Sequence, residues 1–146
     1  MLLPHGAEVL VADGRKFLLL VNEGDTEIAD LRLVEAAEQE LLPDRELSAD
    51  RPGRTFNSAD ARRSGYEETD FKQQAEDRFA ASAAALLNAR VRSRKGARLF
   101  VIAPPRTLGE MRPRFNKATA ARIVAEIPKE ATNLPPAAIA ALIAAA

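Results

Sequence analysis

Apolar residues in this chain gather into short dense runs near its two ends and into a helical stripe through its middle. Glu8-Val9-Leu10-Val11-Ala12 and Phe17 to Val21 flank an Asp13-Gly14 pair. That pattern predicts a β-hairpin, because a type I′ turn needs positive φ at both central positions and Asp-Gly supplies it. Asn22 to Thr26, with Gly24 among polar neighbours, reads as a second turn. Ile28, Leu31, Leu33 and Val34 predict a third strand over 28–37. Its later part, Leu33 to Leu42, is alternatively helical, since Glu, Ala and Gln are poor strand formers. From Pro43 to Gly65 the pattern lapses: only Leu47 and Phe56 are large and apolar among Pro52, two glycines and many Ser, Asp and Arg residues. A connection of this length is either a mobile solvated loop or a binding loop.

Helical spacing resumes with Ser64-Gly65-Tyr66-Glu67, which matches a capping box, and Glu67, Glu68 and Asp70 crowd the first turn. Phe71, Ala75, Phe79, Ala83, Leu86 and Leu87 then define one apolar face, and Arg90, Arg92, Arg94 and Lys95 close the helix before Gly96. Leu99 to Ala103 run without alternation, as a strand buried on both faces does. They lead through Pro104-Pro105 to Thr107-Leu108-Gly109-Glu110, which reads as a second capping box. Pro113 should end or kink that helix, and Asn116 can cap another turn through Ala121. Ile123 to Ile127 predicts a fifth strand, and Ala137 to Ala145 a last helix begun by Pro135 or Pro136. The order β-β-β-α-β-α-β-α, with right-handed crossovers, predicts an α/β fold. Its mixed five-stranded sheet has order 3-2-1-4-5, with helices packed on it, the layout of ribonuclease H-like folds.

Composition narrows the chemistry. The chain has 146 residues, 47% of them hydrophobic and 29% charged, as expected of one globular domain over 1–146. It has no cysteine and a single histidine, His5, so disulfides and thiolate chemistry are excluded. His5 falls in an N-terminal stretch expected to be mobile and without a role. Met1 to Pro4 lacks the basic and apolar regions of a signal peptide, and the apolar run Leu134 to Ala146 is too short to span a bilayer. A cytoplasmic protein without membrane insertion is the expectation.

The net charge is zero, yet residues 1–50 hold 12 acidic and 4 basic side chains, and residues 90–117 hold 9 basic and 1 acidic. This marks either a surface that faces a polyanion or complementarity within the chain, and the near-equal magnitudes favour the latter. No Gly-x-Gly-x-x-Gly, P-loop or Gly-x-Ser-x-Gly occurs. A ribonuclease H-type nuclease needs converging carboxylates for two metal ions. The fourth strand has none, Asp13 belongs to the hairpin turn, and Glu67, Glu68 and Asp70 cap their own helix. No catalytic residues, metal site or cofactor are expected. Two binding regions are. One is the arginine-rich stretch with Asp50, Arg51, Pro52, Gly53, Arg54, Arg62 and Arg63. The other is an anion site at Arg106, Thr107, Leu108 and Gly109, where free N–H groups would follow the strand. The basic segment Arg90 to Arg98 could also track a phosphate backbone, although aromatic stacking partners are missing nearby.

Several of these segments carry a family resemblance. LPHG at 3–6, VLVADG at 9–14, DRPGR at 50–54, ARRS at 61–64, DRFA at 77–80 and APPRTLGEMR at 103–112 resemble the bacterial host attachment protein family. The resemblance implies a role in attachment of bacteria to host cells, without an enzymatic activity. That family is similar in turn to the middle domain of archaeo-eukaryotic peptide chain release factors, which implies a ribonuclease H-like fold. In those factors a Gly-Gly-Gln loop before the long helix acts on peptidyl-tRNA. The corresponding loop here, Pro43 to Gly65, has Arg51-Pro52-Gly53-Arg54 instead, which argues against that hydrolysis and leaves RNA or ribosome binding open. The candidate partners are therefore the ribosome, another RNA or a protein, with a small anionic ligand as a weaker alternative.

Overall fold

The computed structural model describes residues 1–39, 58–94 and 96–146. Strands β1 (Glu8–Ala12), β2 (Lys16–Asn22), β3 (Leu31–Glu38), β4 (Leu99–Ile102) and β5 (Ile123–Ile127) form one sheet in the order β3-β2-β1-β4-β5. β1 pairs antiparallel with β2 and β2 with β3, whereas β4 is parallel to both β1 and β5. This is the order expected from a meander followed by crossovers. The connecting helices are α1 (Ser58–Ser93), α2 (Pro105–Met111) and α3 (Lys117–Arg122), and α4 (Pro136–Ala145) closes the chain.

Alternation along β1 divides the core in two, because successive side chains leave a strand on opposite faces. Leu10 and Ala12 join Phe17, Leu19, Leu99 and Val101 under Phe79, Ala83 and Leu87 of α1 and Leu108 and Met111 of α2. Val9 and Val11 join Leu20, Phe100, Ile102 and Ile127 under Ile139 and Ile143 of α4. β1 and β4 are buried throughout, so the central strands are covered on both faces. The Phe17 and Phe79 rings, 5.4 Å apart and tilted by 31°, tie the hairpin to α1.

Several boundaries differ from the sequence expectation. The β1–β2 turn has no residue with positive φ, so it is not type I′. Instead the Asp13 carboxylate accepts hydrogen bonds from the backbone N–H groups of Arg15 and Lys16, both at 2.7 Å, beside a backbone bond from the Asp13 N–H to the Lys16 carbonyl at 2.9 Å. β3 begins at Leu31, not Ile28. Ile28 is 75% exposed in the preceding turn, where Asp25 accepts from the N–H groups of Glu27 and Ile28. The strand continues through Ala36, Ala37 and Glu38, since pairing with β2 outweighs their low strand propensity and removes the helical alternative over that part.

α1 starts at Ser58, so Ser58 to Gly65 are helical where a loop was expected, and the box at Ser64 is not its start. Ala and Arg are good helix formers, and one interior glycine costs only about 1 kcal/mol. Residues 43–57 of the expected loop lie outside the described residues. Gly96 does follow the helix end as anticipated, with φ +91°. Phe71 was expected on the apolar face and is instead 55% exposed, one turn before the buried Ala75.

α2 starts at Pro105, whose fixed φ suits a first helical position, and Thr107 is buried inside the helix and does not cap it. Asn116 caps α3 as expected, its side-chain oxygen accepting from the Thr119 N–H at 2.8 Å. The N-terminal stretch is held, contrary to expectation. Leu3 is buried in the second core, and the Met1 amino group donates to the carbonyls of Ala144 and Ala146. Among the described residues no helix is long and apolar enough to cross a membrane.

Candidate functional site

The two ends of the parallel strands differ in chemistry. At the C-terminal end Asp13 sits beside α1 and the chain after β5: its second carboxylate oxygen accepts from the Thr132 hydroxyl at 2.7 Å. Glu76 packs against Gly14. Close by, Gln73 donates both to Asp77 at 2.8 Å and to Glu110 at 2.9 Å, which brings these two carboxyl groups together. Partial burial and then the neighbouring Asp77 hold the Glu110 carboxyl above its ordinary range.

The expected anion site falls at this acidic end. Arg106 lies 3.5 Å from Glu110, the Leu108 N–H donates to the Pro104 carbonyl, and Leu108 is buried in the core. Gly109 lies inside α2 with open space over it. Arg106 is thus the one cation that Arg106–Gly109 can present, and it faces a carboxylate. Among the described residues no group of three or more His, Asp or Glu side chains is placed to hold a metal ion.

The N-terminal end is basic. Glu8, the first residue of β1, is fully buried, and its Oε1 accepts from both Nε and Nη2 of Arg90, with Nε at 2.7 Å. Arg94, just past the end of α1, places Nη1 3.6 Å from the same oxygen, and the other oxygen, Oε2, has no hydrogen-bond partner among the described residues. Glu8 heads an apolar run and was not singled out from the sequence. The available signal was an acid opening a strand otherwise buried on both faces, with an Arg90–Arg94 pair at helical spacing to neutralise it.

Asn22 fixes the opposite wall. Its side-chain nitrogen donates to the carbonyls of Leu3, Pro4 and Asp25, and its oxygen accepts from the N–H groups of Gly24 and Asp30. This holds the Leu3–Ala7 segment across the sheet end, with a His5 ring nitrogen 2.8 Å from the Gly24 carbonyl.

Between that segment and the end of α1 lie two adjoining hollows of about 570 and 370 Å³, which share His5, Gly6 and Arg94. The larger also meets Asn22, Glu23 and Arg90, and the smaller meets Gly96 and Arg98. Of the charge complementarity weighed from the sequence, the ion pairs among the described residues that join 1–50 to 90–117 are those of Glu8 with Arg90 and Arg94. Arg106 and Arg112 pair instead with Glu110 and Glu126. Arg92 and Arg98 are exposed on the basic end. Of the other expected binding region, Arg62 and Arg63 lie in the opening turns of α1, while Asp50, Arg51, Pro52, Gly53 and Arg54 are outside the described residues.

These features define a three-layer α/β domain with a mixed sheet and a cationic cleft at the N-terminal ends of its parallel strands. Residues 7–143 match the model of bacterial archaeo-eukaryotic release factor family 12, and the chain belongs to that family. The match supports the release-factor side of the resemblance and lends none to a host-attachment role. A comparison with curated proteins gave no match.

Proposed function

We propose that this chain is a release-factor-like domain that binds RNA of the translation machinery, without the Gly-Gly-Gln chemistry of peptide release. The observation that carries the reading is the family match over residues 7–143 in a sequence that contains no Gly-Gly-Gln. Arg92, Arg94 and Arg98 support it: they stand exposed at one end of the sheet, and among the described residues of the first 50 only Glu8 forms an ion pair with this segment. Arg51, Arg54, Arg62 and Arg63 supply the second set of cations in this reading. Phosphate contacts release counterions, so the association should weaken steeply with salt.

The test is co-sedimentation with ribosomes at low and raised ionic strength. Retention at about 50 mM salt and loss by about 200 mM is expected. Changing Arg92, Arg94 and Arg98 together to Ala should remove most of the retained protein. Absence from the ribosomal pellet at low salt refutes the reading.

A further inference from the structure

We propose that the smaller hollow, over Gly96, is a phosphate-binding site. In the RNA reading on which this rests, it holds a backbone phosphate. Among the described residues every ionisable group that meets the hollow is basic: Arg94 just past the end of α1, Arg98 just before β4, and His5. Glu8 engages Arg90 through two donors but Arg94 only at 3.6 Å, which leaves Arg94 and Arg98 to the occupant. The walls bring backbone close. Gly6 and Gly96 both have positive φ, at +79° and +91°, and a side chain added at Gly6 would meet nothing within 4 Å. At Gly96 the nearest atom such a side chain would meet is Nη1 of Arg122, at 4.0 Å.

That nitrogen has no hydrogen-bond partner among the described residues. It is a buried atom of a half-buried residue and does not line the hollow, so it acts only through space, as positive charge behind Gly96. The C-terminal dipole of α1 points the other way, but its partial negative charge is small against the guanidinium groups of Arg94 and Arg98. At about 370 Å³ the hollow has room for a phosphate with an attached sugar.

The amide resonances of Gly6, Gly96 and Ala97 report on the site. Titration with inorganic phosphate, pyrophosphate and a short single-stranded oligouridylate should shift them. The Arg94→Ala/Arg98→Ala variant should weaken all three ligands at least tenfold, and Arg78→Ala, an exposed arginine away from the cleft, should change nothing. Because Arg98 is exposed, Arg98→Glu should fold normally and abolish the shifts. If none of the three ligands moves these amides, or if Arg98→Glu binds as the unaltered protein does, the proposal is wrong. Ribosome retention that survives Arg94→Ala/Arg98→Ala but is lost when Arg51, Arg54, Arg62 and Arg63 become Ala overturns the site and keeps the RNA reading. Phosphate shifts without oligouridylate binding or ribosome retention keep the site, for a free phosphate ligand, and overturn the RNA reading.

Discussion

Replacing Glu8 by Gln should destabilise the protein by about 2–3 kcal/mol. The Glu8 side chain is 0% exposed, and those of Arg90 and Arg94 are 21% and 43% exposed. Gln keeps an acceptor of the same shape but turns two charge-assisted bonds from Arg90 into weaker ones. It also points an NH₂ group at two guanidinium groups. Removing one partner from a buried ion pair costs about 3–5 kcal/mol. Water reaching the exposed fifth of Arg90 recovers part of that, which sets the lower figure. For a chain of this size the loss corresponds to a fall in Tm of about 4–12 °C.

Urea unfolding followed by circular dichroism reads the change as a lower midpoint at constant slope. Glu8→Met with Arg90→Met should recover most of the stability, because an apolar pair of similar volume leaves no buried charge. The double-mutant cycle then isolates the coupling. A loss below about 0.5 kcal/mol for Glu8→Gln, the level of an ordinary surface substitution, would refute the reasoning. It would mean that water already solvates the carboxylate.

Two further outcomes follow from the opposite wall and the acidic end. Asn22→Ala removes the donor to three carbonyls and the acceptor of two N–H groups, and groups left buried and unpaired cost about 1–3 kcal/mol each. We expect a large fall in Tm together with loss of protection of the Gly24 and Asp30 amides in hydrogen exchange; unchanged protection would refute the hub. Partial burial holds the Glu110 carboxyl above its ordinary range in the folded state, so folding favours its protonated form. The stability it contributes is present at low pH and is lost as pH rises through the raised value. Glu110→Gln should therefore gain on the unaltered protein in thermal unfolding from pH 4.5 upward, and a difference that does not change between pH 4 and 7 would refute this.

The basic end stands apart from the usual ligand position in α/β folds. The cleft lies at the N-terminal ends of β1 and β4, whereas open α/β sheets commonly hold ligands outside the C-terminal ends. Here the C-terminal end carries Asp13, Glu76, Asp77 and Glu110, which repel phosphate. In the RNA reading proposed above, the charge layout would therefore place the phosphates at the other end of the sheet. Arg106, expected beside Pro104-Pro105 as the cation of an anion site, lies at this acidic end, 3.5 Å from Glu110.

What could be read from the sequence were features whose causes are local. The unbroken apolar run of β4, the Asn116 cap, β5 and the position of Gly96 each depend on a few neighbouring residues. The sheet order followed from them because crossovers have a fixed hand. Whether Asp13-Gly14 took positive φ, and whether β3 began at Ile28 or Leu31, depended on bonds from Asp13 and Asp25 that compete with the usual turn and strand geometry. Only the tertiary structure could bury Thr107 under its own helix, or join Glu8 to Arg90 across 82 residues. The hollow over Gly96 likewise needs residues 4–7, 94 and 96–98 at once. Such contacts form only when the α1 crossover closes β4 against β1, and no local signal in the chain encodes the distance between them.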